Sequence, residues 1–286
     1  MKSKKNTFVS RAAVGCVTTA IFLLLCIIKG IYPFGIATLD TVDFQSQWIP
    51  AYYHVWDVLH GDGSAFFDWR VGGGNNFAGV SAQFSLFSPF NLFFLFVKRS
   101  WIEKSMIVFL LIKLLAMGYG MRWFLKEQVL GEERYGVYIL AGSVGYAVNG
   151  YTLLYYGMGW LDVAAILPLL CYFFCRMAQR EGDWRPGKNT LGYIVCLTLV
   201  FLINIPQVYM MCFFLIVFAG GYFFLKRQDQ PLKKNGILKF GLTSLLSLGI
   251  AAVIFLPAAR AMLGSYRLSG EEYRGISGYF LLLRQD

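Results

Sequence analysis

Long apolar runs separated by short polar segments dominate the chain. A run of about 18 or more residues with few charges is long enough to cross a bilayer as a helix. Seven stretches meet or approach that description: Ala12 to Pro33, Ile102 to Leu125, Tyr135 to Leu154, Val163 to Met177, Leu191 to Pro206, Gln207 to Leu225 and Ile237 to Ala259. The pattern predicts an all-α integral membrane protein with about seven transmembrane helices. The segment Phe84 to Val97 is apolar but short, and Ser88-Pro89 breaks it. It reads as a re-entrant or interfacial helix rather than a span.

The polar positions are unevenly spread. Residues 1–11 form a basic start and 12–33 the first span. Residues 34–101 form one long loop, 102–260 hold the other spans, and 261–286 form a tail. Within the long loop, Trp48, Ile49, Tyr52, Val55, Trp56 and Leu59 recur at helical spacing. They predict an amphipathic helix over Gln47 to His60, lying on the membrane surface. Gly72-Gly73-Gly74-Asn75-Asn76 follows as a turn or a close-approach loop. It lacks the Lys-Ser/Thr continuation of a phosphate-cradling loop.

Composition agrees with the run pattern: 57% of residues are hydrophobic and 15% charged, against about 25% charged in a soluble domain. The first span has the basic entry of a signal peptide, but its apolar run is long and no Ala-x-Ala site follows. The net charge of +10 reflects topology. With the N-terminus in the cytoplasm, the inner segments hold most of the basic residues, among them Lys2, Lys4, Lys5, Arg11, Arg122, Lys126, Arg134, Arg176, Lys188 and Lys239. The long loop is then extracellular, as is the tail. No basic segment is interleaved with base-stacking aromatics, so the charge does not point to nucleic acid.

Cys16, Cys26, Cys171, Cys175, Cys196 and Cys212 all fall in apolar spans, and Cys171 and Cys175 have no histidine nearby to complete a metal site. Acidic residues gather in the long loop: Asp40, Asp43, Asp57, Asp62 and Asp68, with Asp162 in the next outer segment. Asp40 and Asp43 follow the first span closely. A carboxylate at that level can act as general base on a hydroxyl whose reaction partner is anchored in lipid. The competing structural role for Asp43 is to cap the following helix. Asp57 and Asp62 read as solvated, with Gly61-Asp62-Gly63 a turn. Lys113 lies near the middle of the second span, at a cost of roughly 2.5 to 3.5 kcal/mol on insertion scales. It calls for a phosphate or carboxylate partner in the bundle, or for snorkelling along a tilted helix. Lys29 is placed to snorkel, Arg260 to meet an anionic headgroup, and Asn204 with Gln207 to satisfy backbone freed by Pro206.

Several of these segments resemble a known family. Asp43-Phe-Gln-Ser-Gln-Trp-Ile-Pro50 looks like the D-x-x-S-Q-[YW]-x-P signature of bacterial YfhO-type membrane proteins. So do Gly72 to Phe77, Ser88-Pro89-Phe90-Asn91-Leu92, Leu111-Ile-Lys113, Tyr146-Ala-x-Asn149-Gly150, Trp160-Leu-Asp162, Leu167-Pro168-Leu169, Asn204 to Met210 and Leu256-Pro257. These short motifs occur in the right order from about Gly15 to Pro257.

That family is similar to GT-C glycosyltransferases, multi-span helical enzymes that use sugars linked to polyprenyl phosphate. The resemblance implies transfer of a sugar from such a donor to a cell-wall glycopolymer, teichoic or lipoteichoic acid, outside a bacterial cell membrane. It makes Asp43, at the signature aspartate, the first candidate for the catalytic base and Asp40 the second. It implies substrate-binding roles for Lys113, Gln47, Trp160, Asp162 and Asn75, and Arg260 joins them as a headgroup contact. A divalent ion between Asp40 and Asp43 is left open, because some GT-C enzymes use one and many polyprenyl-phosphate users do not. YfhO-type chains are also much longer, so the expectation is of the N-terminal part of the family's length, with a partner chain supplying further spans. Two other classes stay open on the residues alone: a transporter or flippase of a lipid-linked substrate, and a non-catalytic membrane scaffold.

Overall fold

The structure is a computed structural model, and it describes residues 2–39, 43–71, 74–76, 85–130, 136–155, 159–179, 187–229 and 234–263. Among these, nine α-helices carry the fold: α1 Lys2–Ile28, α2 Ile49–Leu59, α3 Ile102–Phe124, α4 Gly136–Ala147, α5 Gly150–Leu154, α6 Trp160–Gln179, α7 Lys188–Ile203, α8 Ile205–Asp229 and α9 Lys234–Leu263. A π-helical turn, Phe44–Trp48, leads into α2, and 3-10 turns at Pro89–Phe96 and Arg99–Trp101 lead into α3. The strand content described is a two-residue ladder, β1 Phe67–Asp68 against β2 Asn75–Asn76.

This is an all-α integral membrane protein. Among the described residues, six helical stretches are long and apolar enough to cross a bilayer: Arg11–Ile28, Arg99–Leu130, Gly136–Leu154, Trp160–Gln179, Ile205–Leu225 and Gly236–Ala258. The fifth predicted span is α7, which is apolar but has 16 residues. At about 1.5 Å per residue it reaches about 24 Å, short of the roughly 30 Å hydrocarbon core. The first helix stops at Ile28, short of the predicted Pro33. Gly30 takes φ +61, its N–H reaches Ile27 O, and Ile31 N–H reaches Cys26 O. That double bond is a Schellman stop, which needs a left-handed residue and so favours glycine.

α3 is the hub, packing against α1, α4 and α6, and α6 passes the contact on to α7 and α7 to α9. Two cores result. One joins Phe22, Cys26, Trp48, Tyr52, Phe94, Phe109, Leu114 and Leu161. The other joins Leu170, Phe174, Tyr193, Val200, Met211 and Ala251 across α6 to α9. Outside these cores, α8 and α9 present aliphatic and aromatic side chains such as Phe213, Ile216, Leu245 and Val253 outward, as lipid-facing helices do.

The amphipathic helix forms where its periodicity placed it, but its apolar face turns inward. Trp48, Tyr52 and Val55 are buried, and the Tyr52 ring lies 5.3 Å from Phe94 and 5.4 Å from Phe109. The helix lids the end of α3 instead of resting on lipid. The short apolar segment turns as the 3-10 helix Pro89–Phe96, with Ser88 as its N-cap.

Candidate functional site

The long loop, the turn before α6 and the turn before α8 meet at one end of the bundle. Three contacts establish this. Any Cβ built on Gly159 would fall on Ser85 and Trp48, the Lys113 ammonium meets Asp162, and Gln207 Nε2 donates to the Tyr151 hydroxyl at 2.9 Å. At the opposite end, Gln179 donates to Gln128 at 3.0 Å, beside Lys126 and Arg176.

Asp43 opens the π-turn that feeds α2. Its side chain makes no capping bond to the helix backbone. Instead it accepts from Gln47 Nε2 at 3.0 Å, one turn along, and both side chains are exposed. The carboxylate therefore has oxygen capacity left and open access to solvent. The other acidic residues of the loop contrast with it. Asp57, read from sequence as solvated, is 7% exposed. Arg99 Nε donates to it at 2.8 Å, and Arg70 lies 3.6 Å away. Its burial follows from the inward rotation of α2, which carries Asp57 toward the root of α3. Asp68 receives three Arg70 donors, two from the guanidinium at 3.1 and 2.8 Å and the backbone N–H at 2.9 Å. Those hydrogen bonds hold its carboxyl well below the ordinary carboxylate value. Asp62 stays exposed in a turn whose Gly61 has φ +83.

A second polar group is sealed inside the bundle. Lys113 on α3 and Asp162 in the first turn of α6 form an ion pair at 2.6 Å, each 1% exposed. Lys113 Nζ also sits 4.1 Å from the Phe109 ring centroid. The Ser88 hydroxyl accepts the Phe90 N–H at 3.2 Å and lies near the Asp162 carboxylate. Asn91 Nδ2 binds the carbonyls of Ser85 and Leu86 at 2.7 and 2.8 Å, which holds Ser85 at φ 56. Two motifs far apart in sequence, around Ser88-Pro89 and Trp160-Leu-Asp162, thus meet beside the ion pair. Of the two fates open to Lys113, the carboxylate partner is the one the fold realises.

The remaining candidates are scattered. Asp40 lies outside the described residues. Asn75 is described in its backbone, paired with Asp68 in the ladder. Trp160 is half-buried against the first core, its ring 5.0 Å from Tyr155. Arg260 is exposed in the last turn of α9. Among the described residues no three His, Cys, Asp or Glu side chains converge as metal ligands. Asn204 accepts the Gln207 N–H through Oδ1 at 3.2 Å, the backbone role expected of it.

The family described as bacterial membrane protein YfhO matches residues 15–281. The chain belongs to the YfhO family. Its ordered motifs now have positions: the Asp43 signature opens α2, the Ser88-Pro89 motif forms the 3-10 turn, and the Lys113 and Asp162 motifs form the ion pair between α3 and α6. Comparison with curated proteins and with solved structures found no match.

Sequence reasoning missed the clamp on the YfhO loop, Arg99 to Asp57 and Arg70 to Asp68. The only signal was that each arginine lies in the same polar loop as several aspartates, and spacing could not choose among them. It also missed the joining of Ser88 and Asp162, since no local pattern links residues that far apart.

Proposed function

We propose that this YfhO-family chain is a GT-C-like glycosyltransferase that moves a sugar from a polyprenyl-phosphate donor to a cell-wall glycopolymer of the teichoic or lipoteichoic acid class. The reaction takes place on the outer face of a bacterial cell membrane. The observation that carries this reading is the exposure of the Asp43 carboxylate, which stands in the family signature close behind the first span. Among the described residues, Asp57 and Asp68 are paired with arginine and Asp162 with lysine, and Asp62, also exposed, lies in a turn outside the signature, whereas Asp43 is exposed and accepts from the neutral Gln47 amide.

The orientation follows from the same division. One end of the bundle carries the aspartate-rich loop, while Arg122, Lys126, Arg176, Lys188 and Lys239 collect toward the other. The excess of basic residues marks the cytoplasmic side, which leaves the loop outside.

In the reaction, Asp43 accepts the proton of an acceptor hydroxyl. The hydroxyl oxygen forms a bond to the anomeric carbon, and the bond from that carbon to the lipid phosphate oxygen breaks, its electron pair leaving with the phosphate. A positioned base of this kind contributes about 10²- to 10⁴-fold. Direct displacement inverts the anomeric centre. Gln47, bonded to the Asp43 carboxylate, orients it.

The test is transfer by the purified chain in lipid nanodiscs, with a panel of polyprenyl-phosphate sugars and teichoic-acid acceptors, beside Asp43→Asn. Transfer by the wild type and a loss of about 10²-fold or more in a folded Asp43→Asn chain are expected. Equal rates would remove Asp43 as the base. Absence of transfer by the wild type, not rescued by a longer partner chain, would favour the transporter or the scaffold.

A further inference from the structure

Lys113 cannot meet a substrate phosphate while Asp162 and the packed aromatic rings enclose it, so a leaving phosphate at the membrane rim needs another cation. One is present in a groove that no motif marks. After the stop at Gly30 the chain forms a hook tied by Tyr32 N–H to Ala37 O at 2.8 Å and Ala37 N–H to Gly30 O at 3.1 Å. Between this hook and the start of α3 lies a groove of about 180 Å³, walled by Ile31, Ile36, Leu39 and Ile107, with Tyr32, Glu103 and Lys104 at its polar edge. Lys104 Nζ is 5.7 Å from the Tyr32 ring centroid and 5.5 Å from that of Trp101. It is exposed and has no ion-pair partner among the described residues. The neighbouring Glu103 carboxylate accepts the Tyr53 hydroxyl at 3.2 Å.

Its level in the membrane follows from length. The helical stretch Arg99–Leu130 has 32 residues, about 48 Å at 1.5 Å per residue, against a hydrocarbon core of about 30 Å. Charged side chains stand at both ends of the stretch, Arg99, Glu103 and Lys104 at one and Lys126 and Glu127 at the other, which divides the excess between the two and puts the first turns in the headgroup layer, with Trp101 as an interfacial aromatic. The groove opens at the depth of a lipid phosphate, and its apolar walls lead toward the hydrocarbon. Its volume suits the leading end of one chain, not a diverging acyl pair. Leu39, in its wall, precedes Asp43 by four positions.

We propose that this groove is the subsite for the phosphate and first isoprene units of a polyprenyl phosphate, with Lys104 meeting the phosphate. The proposal rests on the transferase reading for its occupant. Two aromatic rings hold the ammonium in place without neutralising it, and the apolar walls take the chain.

The test is binding of a long-chain polyprenyl phosphate to the full chain in phosphatidylcholine nanodiscs, read by native mass spectrometry. It compares the wild type with Lys104→Ala, Lys104→Arg and Lys98→Ala, the last an exposed lysine outside the groove. Lys104→Ala is expected to weaken binding about tenfold or more, as loss of a charged hydrogen bond does. Lys104→Arg and Lys98→Ala should bind like the wild type. Equal binding of the uncharged polyprenol, displacement by phosphatidylglycerol at equal concentration, or no change in Lys104→Ala would each overturn the proposal. If binding depends on Lys104 but no form of the chain transfers sugar, the groove stands and the transferase reading falls. If transfer proceeds and Lys104→Ala leaves binding and rate unchanged, the groove falls and the transferase reading stands.

Discussion

Replacing Lys113 by methionine should destabilise the fold far more than replacing it together with Asp162. At the 2.6 Å separation, the Coulomb attraction of the pair is about 6 kcal/mol with an effective dielectric constant near 20. Much of that is offset by the cost of removing both charges from water, so the pair adds little net stability. Breaking it is different. Lys113→Met leaves the Asp162 carboxylate sealed in the bundle with Ser88 beside it and no cation, a loss of about 3 to 5 kcal/mol. Asp162→Asn leaves the ammonium facing a neutral amide and should cost a similar amount. Lys113→Met combined with Asp162→Leu removes both charges and should recover most of the loss, a coupling of about 2 kcal/mol or more. The assay is a double-mutant cycle on unfolding free energies in mixed micelles, with sugar transfer followed in the same preparations. If each single change costs under about 1 kcal/mol, or the costs simply add, the pair is not the latch described here. If the double variant is stable yet loses transfer, Lys113 meets the substrate after all, and the closed arrangement is a resting state.

Two other outcomes are expected. Gly159→Val should destabilise the chain by about 1 to 3 kcal/mol through overpacking, because a Cβ there would lie 2.8 Å from Trp48 Cζ3 and would collide with Ser85. A thermal unfolding midpoint unchanged from wild type would show that the loop does not seat on the turn before α6. Acid should loosen the hairpin that contains β1. Because Arg70 lowers the Asp68 value below its ordinary 3.8, the folded state gains stability that is complete above that value. The gain is lost as pH falls through the lower folded-state value. Limited proteolysis within residues 60–76 should therefore accelerate in that acid window for the wild type. Arg70→Ala should cleave faster already at neutral pH and show a smaller acid step; an equal step in both would refute the assignment.

The sequence by itself determined the membrane class, the span order, the long acidic loop and the family, because these are written in local signals. Apolar runs fix where helices must satisfy their own backbone in lipid. The order of short motifs fixed the family, and Asp43 was legible as a candidate because it stands in one of them close to the first span. The sequence also required Lys113 either to find a partner or to snorkel out of the core, since a charge at that depth is costly. The tertiary structure alone chose that partner. Asp162 lies 49 positions away and meets Lys113 only because α6 packs on α3. It also decided which way α2 faces. A stripe of Trp48, Tyr52 and Val55 has the same periodicity whether it covers lipid or protein, and the aromatic cluster of Phe94 and Phe109 settles it inward. That rotation buries Asp57 against Arg99 while leaving Asp43 in the open. Which aspartates are paired and which stay exposed is thus a property of packing, because ion pairs form between neighbours in space and periodicity carries no record of them.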